Sequence, residues 1–138
     1  MRRLGQGGFA TLEVILMVTV IGILAAIAVP RFEDITARAN TARIQSDLTT
    51  LDTAMALYYM DNGSYPANLK ADIADYVQDS EKLDPPTGGK VYVLDETDPI
   101  SLSSSKYEPK DGRAVLTAEG KSYTAGQIGY KSSTDSGT

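Results

Sequence analysis

Residues 7–32 read GGFATLEVILMVTVIGILAAIAVPRF, and across residues 9–29 every side chain is apolar, small or a hydroxyl except Glu13. At 1.5 Å rise per residue the 21 residues of this run make a helix about 31 Å long, close to the hydrocarbon thickness of a bilayer. Its twelve Phe, Leu, Ile and Val residues contribute on the order of −6 kcal/mol to insertion, against about +3 kcal/mol for one carboxylate at mid-membrane and less near the edge. Insertion is therefore favoured in spite of the acid. The acid itself needs explaining, because an ionisable group at membrane depth is costly and calls for a partner.

The rest of the composition narrows the function classes. The chain has 138 residues, room for one compact domain plus an extension, and its 42% hydrophobic and 22% charged residues are ordinary for a globular protein. Net charge is −5, and residues 9–138 carry 11 basic against 18 acidic groups, so bulk attraction to nucleic acid is disfavoured. With no cysteine there are no disulfides, no thiol catalysis and no cysteine-held metal. With no histidine the commonest general base and the usual zinc or haem ligand are also missing. No Gly-rich phosphate loop is present either, so a membrane-tethered enzyme has no visible constellation to support it, and no cofactor is expected.

Three readings fit the apolar run. A cleaved secretory signal has its charged start in Arg2 and Arg3 and a small-x-small site in Ala26-Ile27-Ala28, but the run exceeds the usual 7–15 apolar residues and Glu13 opposes the charge asymmetry. A one-pass anchor, with Arg2 and Arg3 holding the amino end in the cytoplasm, leaves Glu13 unexplained. The third reading accounts for it. If the chain is cut between Gly8 and Phe9, the new α-amino group of Phe9 is a cation, and in a staggered array of parallel helices the Glu13 carboxylate of one copy meets the amine of its neighbour.

Gly8-Phe9, Glu13 five residues into the cut chain, the run TLEVILMVTVIGILAAIAVPRF and Pro30 together resemble the amino-terminal signal of type IV pilins and type II secretion pseudopilins. The resemblance is close over residues 1–32 and looser through Pro66, where LDTAMALYYMDNGSYP resembles the major pseudopilin. It implies that a prepilin peptidase cuts after Gly8 and N-methylates Phe9, although Gln6-Gly7 stands where the family often has a basic residue. It also implies that Gly22 to Pro30 is where the helix can lose hydrogen bonds on assembly. From the residues alone, the proline ring and its missing N–H predict a kink or unwinding near Ala26, with Gly22 a second weak point.

Beyond Pro30 the pattern turns one-sided. Ile35, Ala39, Ala42, Leu48, Leu51, Met55 and Tyr58 recur mostly at steps of three and four, opposite Arg38, Asn40, Arg43, Gln45, Asp47 and Asp52, which predicts an amphipathic helix. Asp61-Asn62-Gly63-Ser64-Tyr65-Pro66 supplies a left-handed glycine and then a proline, so the helix is expected to stop near Asp61. The same Asn62-Gly63-Ser64 matches a glycosylation sequon, which the capping turn explains better. A short helix is expected over residues 70–77, and strands over 90–94, 105–109, 114–118 and 121–125, with Glu119-Gly120 as a tight hairpin. Of the 8 tyrosines, Tyr58, Tyr59, Tyr92, Tyr107, Tyr123 and Tyr130 are expected to pack the domain core with their hydroxyls at its rim. Asp95, Glu96 and Asp98, with Asp84, are a weak candidate for Ca²⁺, the site the resemblance suggests, but they lack EF-hand spacing and read as a solvated acidic loop.

The expected fold is therefore α+β, the pilin fold: a long amino-terminal helix, its apolar half projecting, packed on a small antiparallel sheet. Residues 1–8 are expected to be a leader, 9–29 a membrane and filament-core helix, 30–62 its amphipathic continuation, 63–131 the sheet domain and 132–138 a polar tail. The resemblance implies a major subunit of a surface filament, or alternatively a pseudopilin of a type II secretion or DNA-uptake system. It implies as partners other copies of the chain, the prepilin peptidase, an inner-membrane assembly platform with its ATPase, and the membrane before assembly. The missing cysteine pair departs from many pilins, so disulfide-framed surface regions are not carried over.

Overall fold

The computed structural model describes residues 4–131. The chain is α+β: helix α1 (Leu4–Asn62), a one-turn helix α2 (Leu69–Asp72), and strands β1 (Lys90–Val91), β2 (Ile100–Ser101), β3 (Lys106–Lys110), β4 (Arg113–Ala118) and β5 (Lys121–Thr124). It divides into two units after Ile35.

The first unit is helix alone. α1 stays helical from Leu4, through Gly22 and Pro30, to Asn62. The side chains of residues 7–27 are all exposed within this single chain. This helix is long and apolar enough to cross a membrane.

In the second unit, α1 buries Ala37, Thr41, Ile44, Leu48, Leu51 and Met55, a stripe at alternating steps of four and three. That corrects the expected face in part: Leu48, Leu51 and Met55 are in the core, whereas Ile35, Ala39 and Ala42 are exposed. Both sets share one periodicity on different faces, so pattern alone does not choose between them. What chooses is polar bonding. The Thr41 hydroxyl donates to the Ala37 carbonyl at 2.7 Å and accepts the Tyr92 backbone N–H at 3.0 Å, which satisfies it in the core.

Three residues assigned to the polar face prove to be fasteners between helix and sheet. Asp52 Oδ1 accepts the Ala114 backbone N–H at 2.6 Å, and Asp47 Oδ2 accepts the Tyr107 hydroxyl at 2.8 Å. Asn40 Nδ2 donates to the Lys90 carbonyl at 3.2 Å. Around these the core gathers Ile44, Leu48, Leu51, Met55, Leu69, Ile73, Val91, Leu102, Leu116, Tyr123 and Ile128.

The helix ends where the turn residues require. Gly63 is left-handed at φ 72° and its N–H returns to the Tyr59 carbonyl at 2.8 Å. α2 is shorter than the expected 70–77. Asn68 accepts the Ala71 N–H while its own N–H donates to Asp72, so the cap closes over a single turn and residues 73–77 continue as turns.

β3, β4 and β5 form an antiparallel meander with β4 central, and its Ala114, Val115, Leu116 and Ala118 are buried. The Glu119-Gly120 hairpin forms as expected, with φ 50° and 78°. A second such hairpin, Asp111-Gly112 at φ 51° and 78°, was not anticipated. β1 and β2 pair separately, Lys90 with Ser101 and Val91 with Ile100. The expected 90–94 strand is thus cut to two residues. Its remainder pairs with the chain's later part: Leu94 N–H donates to Gln127 O and Gly129 N–H to Tyr92 O. The expected tail, 132–138, lies outside the described residues, as do Arg2 and Arg3 of the expected leader.

The tyrosines divide. Tyr123 is buried and Tyr107 half-buried, while Tyr59 and Tyr130 are exposed, Tyr130 lying edge-on to Tyr92 with the Arg38 guanidinium 5.2 Å from its ring centre.

Candidate functional site

Gly8, Phe9, Glu13, Gly22 and Pro30, singled out in the sequence, fall on the helical rod of the first unit. Phe9 is 75% exposed, and Leu12, Val14, Ile15, Leu16, Met17, Val18 and Ile21 are all more than half exposed. In water such a surface is strongly unfavourable at about 25 cal/mol per Å², so lipid or protein must cover it.

Polar groups on the rod are mostly satisfied within the helix. The Thr11 hydroxyl donates to the Gly7 carbonyl at 2.9 Å and the Thr19 hydroxyl to the Ile15 carbonyl at 2.7 Å. Each threonine therefore presents its methyl outward at little cost in an apolar medium. Glu13 is different: it is exposed, and among the described residues no cation pairs with it. On Glu13's own face, three, four, seven and eight residues further on, Leu16, Met17, Val20 and Ile21 form an open apolar patch. Sequence reading does not single out this patch, since the run is apolar all round and periodicity has nothing to mark.

Gly8 and Phe9 lie in helical backbone, and a Cβ at Gly8 would meet nothing within 4 Å. Gly22 likewise has open space around it. Neither glycine is required by a contact inside this chain.

The acidic loop does not converge. Glu96 Oε1 accepts Lys121 Nζ at 2.6 Å and the Tyr123 hydroxyl at 3.4 Å, and Lys121 holds its carboxyl below the ordinary carboxylate range. Asp95 instead accepts Gln127 Nε2 at 3.2 Å. Among the described residues no three carboxylates are grouped to hold a metal ion.

No protein-family model matches the chain, and no solved structure matches it. Curated proteins do. It is 36% identical over 66 residues to the type II secretion system core protein G of Klebsiella michiganensis, covering 48% of this chain and 46% of that one. It is 34% identical over 74 residues to the type IV major pilin protein PilE1 of Neisseria gonorrhoeae, covering 54% of this chain and 35% of that one. A fimbrial protein of Pseudomonas aeruginosa is 47% identical over 49 residues, 36% of this chain and 32% of its own. The chain thus spans less than half the length of each of these relatives. None of the three names is that of an enzyme.

Proposed function

We propose that this chain, which is related to type IV pilins and type II secretion pseudopilins, is the structural subunit of a helical filament assembled from the inner membrane. One observation carries the reading: an exposed apolar rod over residues 9–27 bearing a single acid, Glu13, without a cation partner among the described residues. Before assembly, lipid covers the rod; in the filament, the rods of neighbouring copies cover it.

In this reading residues 1–8 are a leader removed by the prepilin peptidase, which cuts after Gly8 and methylates the Phe9 amine. Residues 9–29 form the filament core, 30–62 continue the helix, 63–131 face outward and 132–138 are a tail. The freed Phe9 amine of one copy neutralises Glu13 of the next, which sets their stagger. Lifting each copy out of lipid needs work from outside the chain, supplied by a membrane platform and its ATPase. Helix within Gly22 to Pro30 is the segment that unwinds on assembly, because Pro30 removes a hydrogen bond there.

A second reading, a periplasmic pseudopilus in place of a surface pilus, is favoured by the likeness to core protein G. Electron microscopy of sheared fibres, with mass spectrometry of their subunits, tests both. Long surface fibres whose subunit begins with N-methylated Phe9 support the pilus. Short or absent surface fibres with the same processed terminus support the pseudopilus. A mature chain beginning near Val29 contradicts both.

A further inference from the structure

We propose that Tyr59 and Tyr65 form a modification site at the end of α1, where one-electron oxidation by a haem peroxidase with hydrogen peroxide joins the two rings as a dityrosine. The rings stack, with centres 4.5 Å apart and planes 26° apart. Tyr59 is 44% and Tyr65 51% exposed, so an oxidant has access to both. Both lie in the second unit, and the coupling does not depend on filament assembly.

The backbone and a neighbouring hairpin hold the pair. Tyr59 is in the last turn of α1, and its carbonyl accepts the Gly63 N–H at 2.8 Å, which turns the chain back toward the helix end just before Tyr65. Pro66, buried, fixes the outgoing backbone. The Asp111-Gly112 hairpin stands against the Tyr65 phenol: a Cβ at Gly112 would be 2.7 Å from its Cζ and 3.0 Å from its Cε2. Glycine leaves room for the ring there and little more, so the ring is kept against Tyr59.

The other ring pairs are placed less well. Tyr58 and Tyr76 meet edge-on at 6.1 Å, and both are half-buried. Tyr92 and Tyr130 also meet edge-on, at 6.0 Å, and the Arg38 guanidinium over Tyr130 opposes removal of an electron from that ring.

In the coupling, each phenol gives up one hydrogen atom, and the unpaired spin spreads from oxygen to the ring carbons ortho to it. One carbon–carbon bond forms between an ortho carbon of each ring. Both ring hydrogens then return to the oxygens as protons, which restores two phenols. The two electrons and two protons removed convert one hydrogen peroxide into two waters. Because the chain has no cysteine, no disulfide competes for this role. The new bond closes a ring from residue 59 to residue 65 around the turn that stops α1, and a cross-link of this kind limits the freedom of the unfolded chain.

The test treats the full chain in non-ionic detergent with limiting hydrogen peroxide and a haem peroxidase, then digests it with trypsin. In the monomer, the peptide of residues 44–70 should lose two hydrogen atoms, show dityrosine fluorescence and give no backbone fragments between residues 59 and 65. Oxidation of the exposed Met60 adds an oxygen atom and is thereby told apart. Tyr59→Phe and Tyr65→Phe should each abolish the coupling, while Tyr58→Phe and Tyr130→Phe retain it. Unfolding in urea before treatment should lower the yield several-fold. Equal yield from the unfolded chain overturns the proposal, because nearness in sequence and not the stack would then join the rings. Coupling that persists in Tyr65→Phe, that forms only between chains, or that favours Tyr92 and Tyr130 also overturns it, as does oxidation of other tyrosines with none in this peptide. Each of these results leaves the filament reading standing.

Discussion

Glu13 is the only ionisable side chain within residues 9–29, and in a bilayer its cost of about 3 kcal/mol would be outweighed by the apolar contribution of about −6 kcal/mol around it. Glu13→Val or Glu13→Ala is therefore expected to leave insertion intact and to reduce fibre yield; normal yield on shearing contradicts the charge pair. Gly8 has open space around it, so a bulky substitution there does not disturb the helix. Gly8→Leu is expected to leave full-length precursor in the membrane, and mass spectrometry of the membrane fraction checks it. In the second unit the residue to test is Tyr107. Burial first, then its hydrogen bond to Asp47, holds its phenol well above the ordinary value of 10.0. The folded state thus keeps a proton that the unfolded chain releases above about pH 10, so stability is full below that pH and falls as pH rises further. Tyr107→Phe should cost about 1 kcal/mol at neutral pH and flatten the alkaline slope. Urea unfolding at pH 7 and above pH 10 reads both, and an unchanged slope counts against the assignment.

At the scale of elements, what was legible was what carried strong local chemistry. Gly63 and Pro66 stop α1, and glycine fixes the Glu119-Gly120 hairpin, because few other residues take a positive φ. Two-residue strands such as β2 have no alternation to read. The choice of buried stripe on α1 was not legible, since Ala37, Thr41 and Ile44 and the exposed Ile35, Ala39 and Ala42 follow the same steps. Asn40, Asp47 and Asp52 read as a solvent face because their partners on the sheet lie 50, 60 and 62 residues away in the chain. The Asp111-Gly112 hairpin gives the element-scale test. Gly112 is at φ 78°, and a Cβ there would stand 2.7 Å from the ring of Tyr65, which is itself stacked on Tyr59. Gly120 has the same φ but open space. Gly112→Ala should therefore destabilise by about 2 kcal/mol and Gly120→Ala by less, because only the first adds a clash to backbone strain. Equal shifts in denaturant midpoint would show that the Tyr65 contact does not matter.

For the molecule as a whole, the two units satisfy opposite requirements. Every residue of the hydrophobic core cluster lies between Ile44 and Ile128, within the second unit. The rod has the reverse character: its apolar side chains are exposed and its stability in any medium depends on what surrounds it. This division makes the candidate site readable as a lone acid in an apolar run, yet not which apolar residues share its face, which follows only once side chains are placed on a helix. It also predicts that residues 36–138 alone fold. Such a fragment should be soluble without detergent, unfold cooperatively, and stay monomeric, with Tm within several degrees of the intact chain, since 1 kcal/mol moves a domain of this size by about 4–8 °C. It should not enter fibres even when co-expressed with the full chain, because it lacks the acid and the apolar surface on which the proposed assembly depends. Calorimetry and sedimentation of the fragment, with co-purification from sheared fibres, measure each part. A fragment that is molten would show that residues 1–35 support the core of the second unit, and one that enters fibres would show that contacts between second units suffice for assembly, which removes the rod from its proposed role.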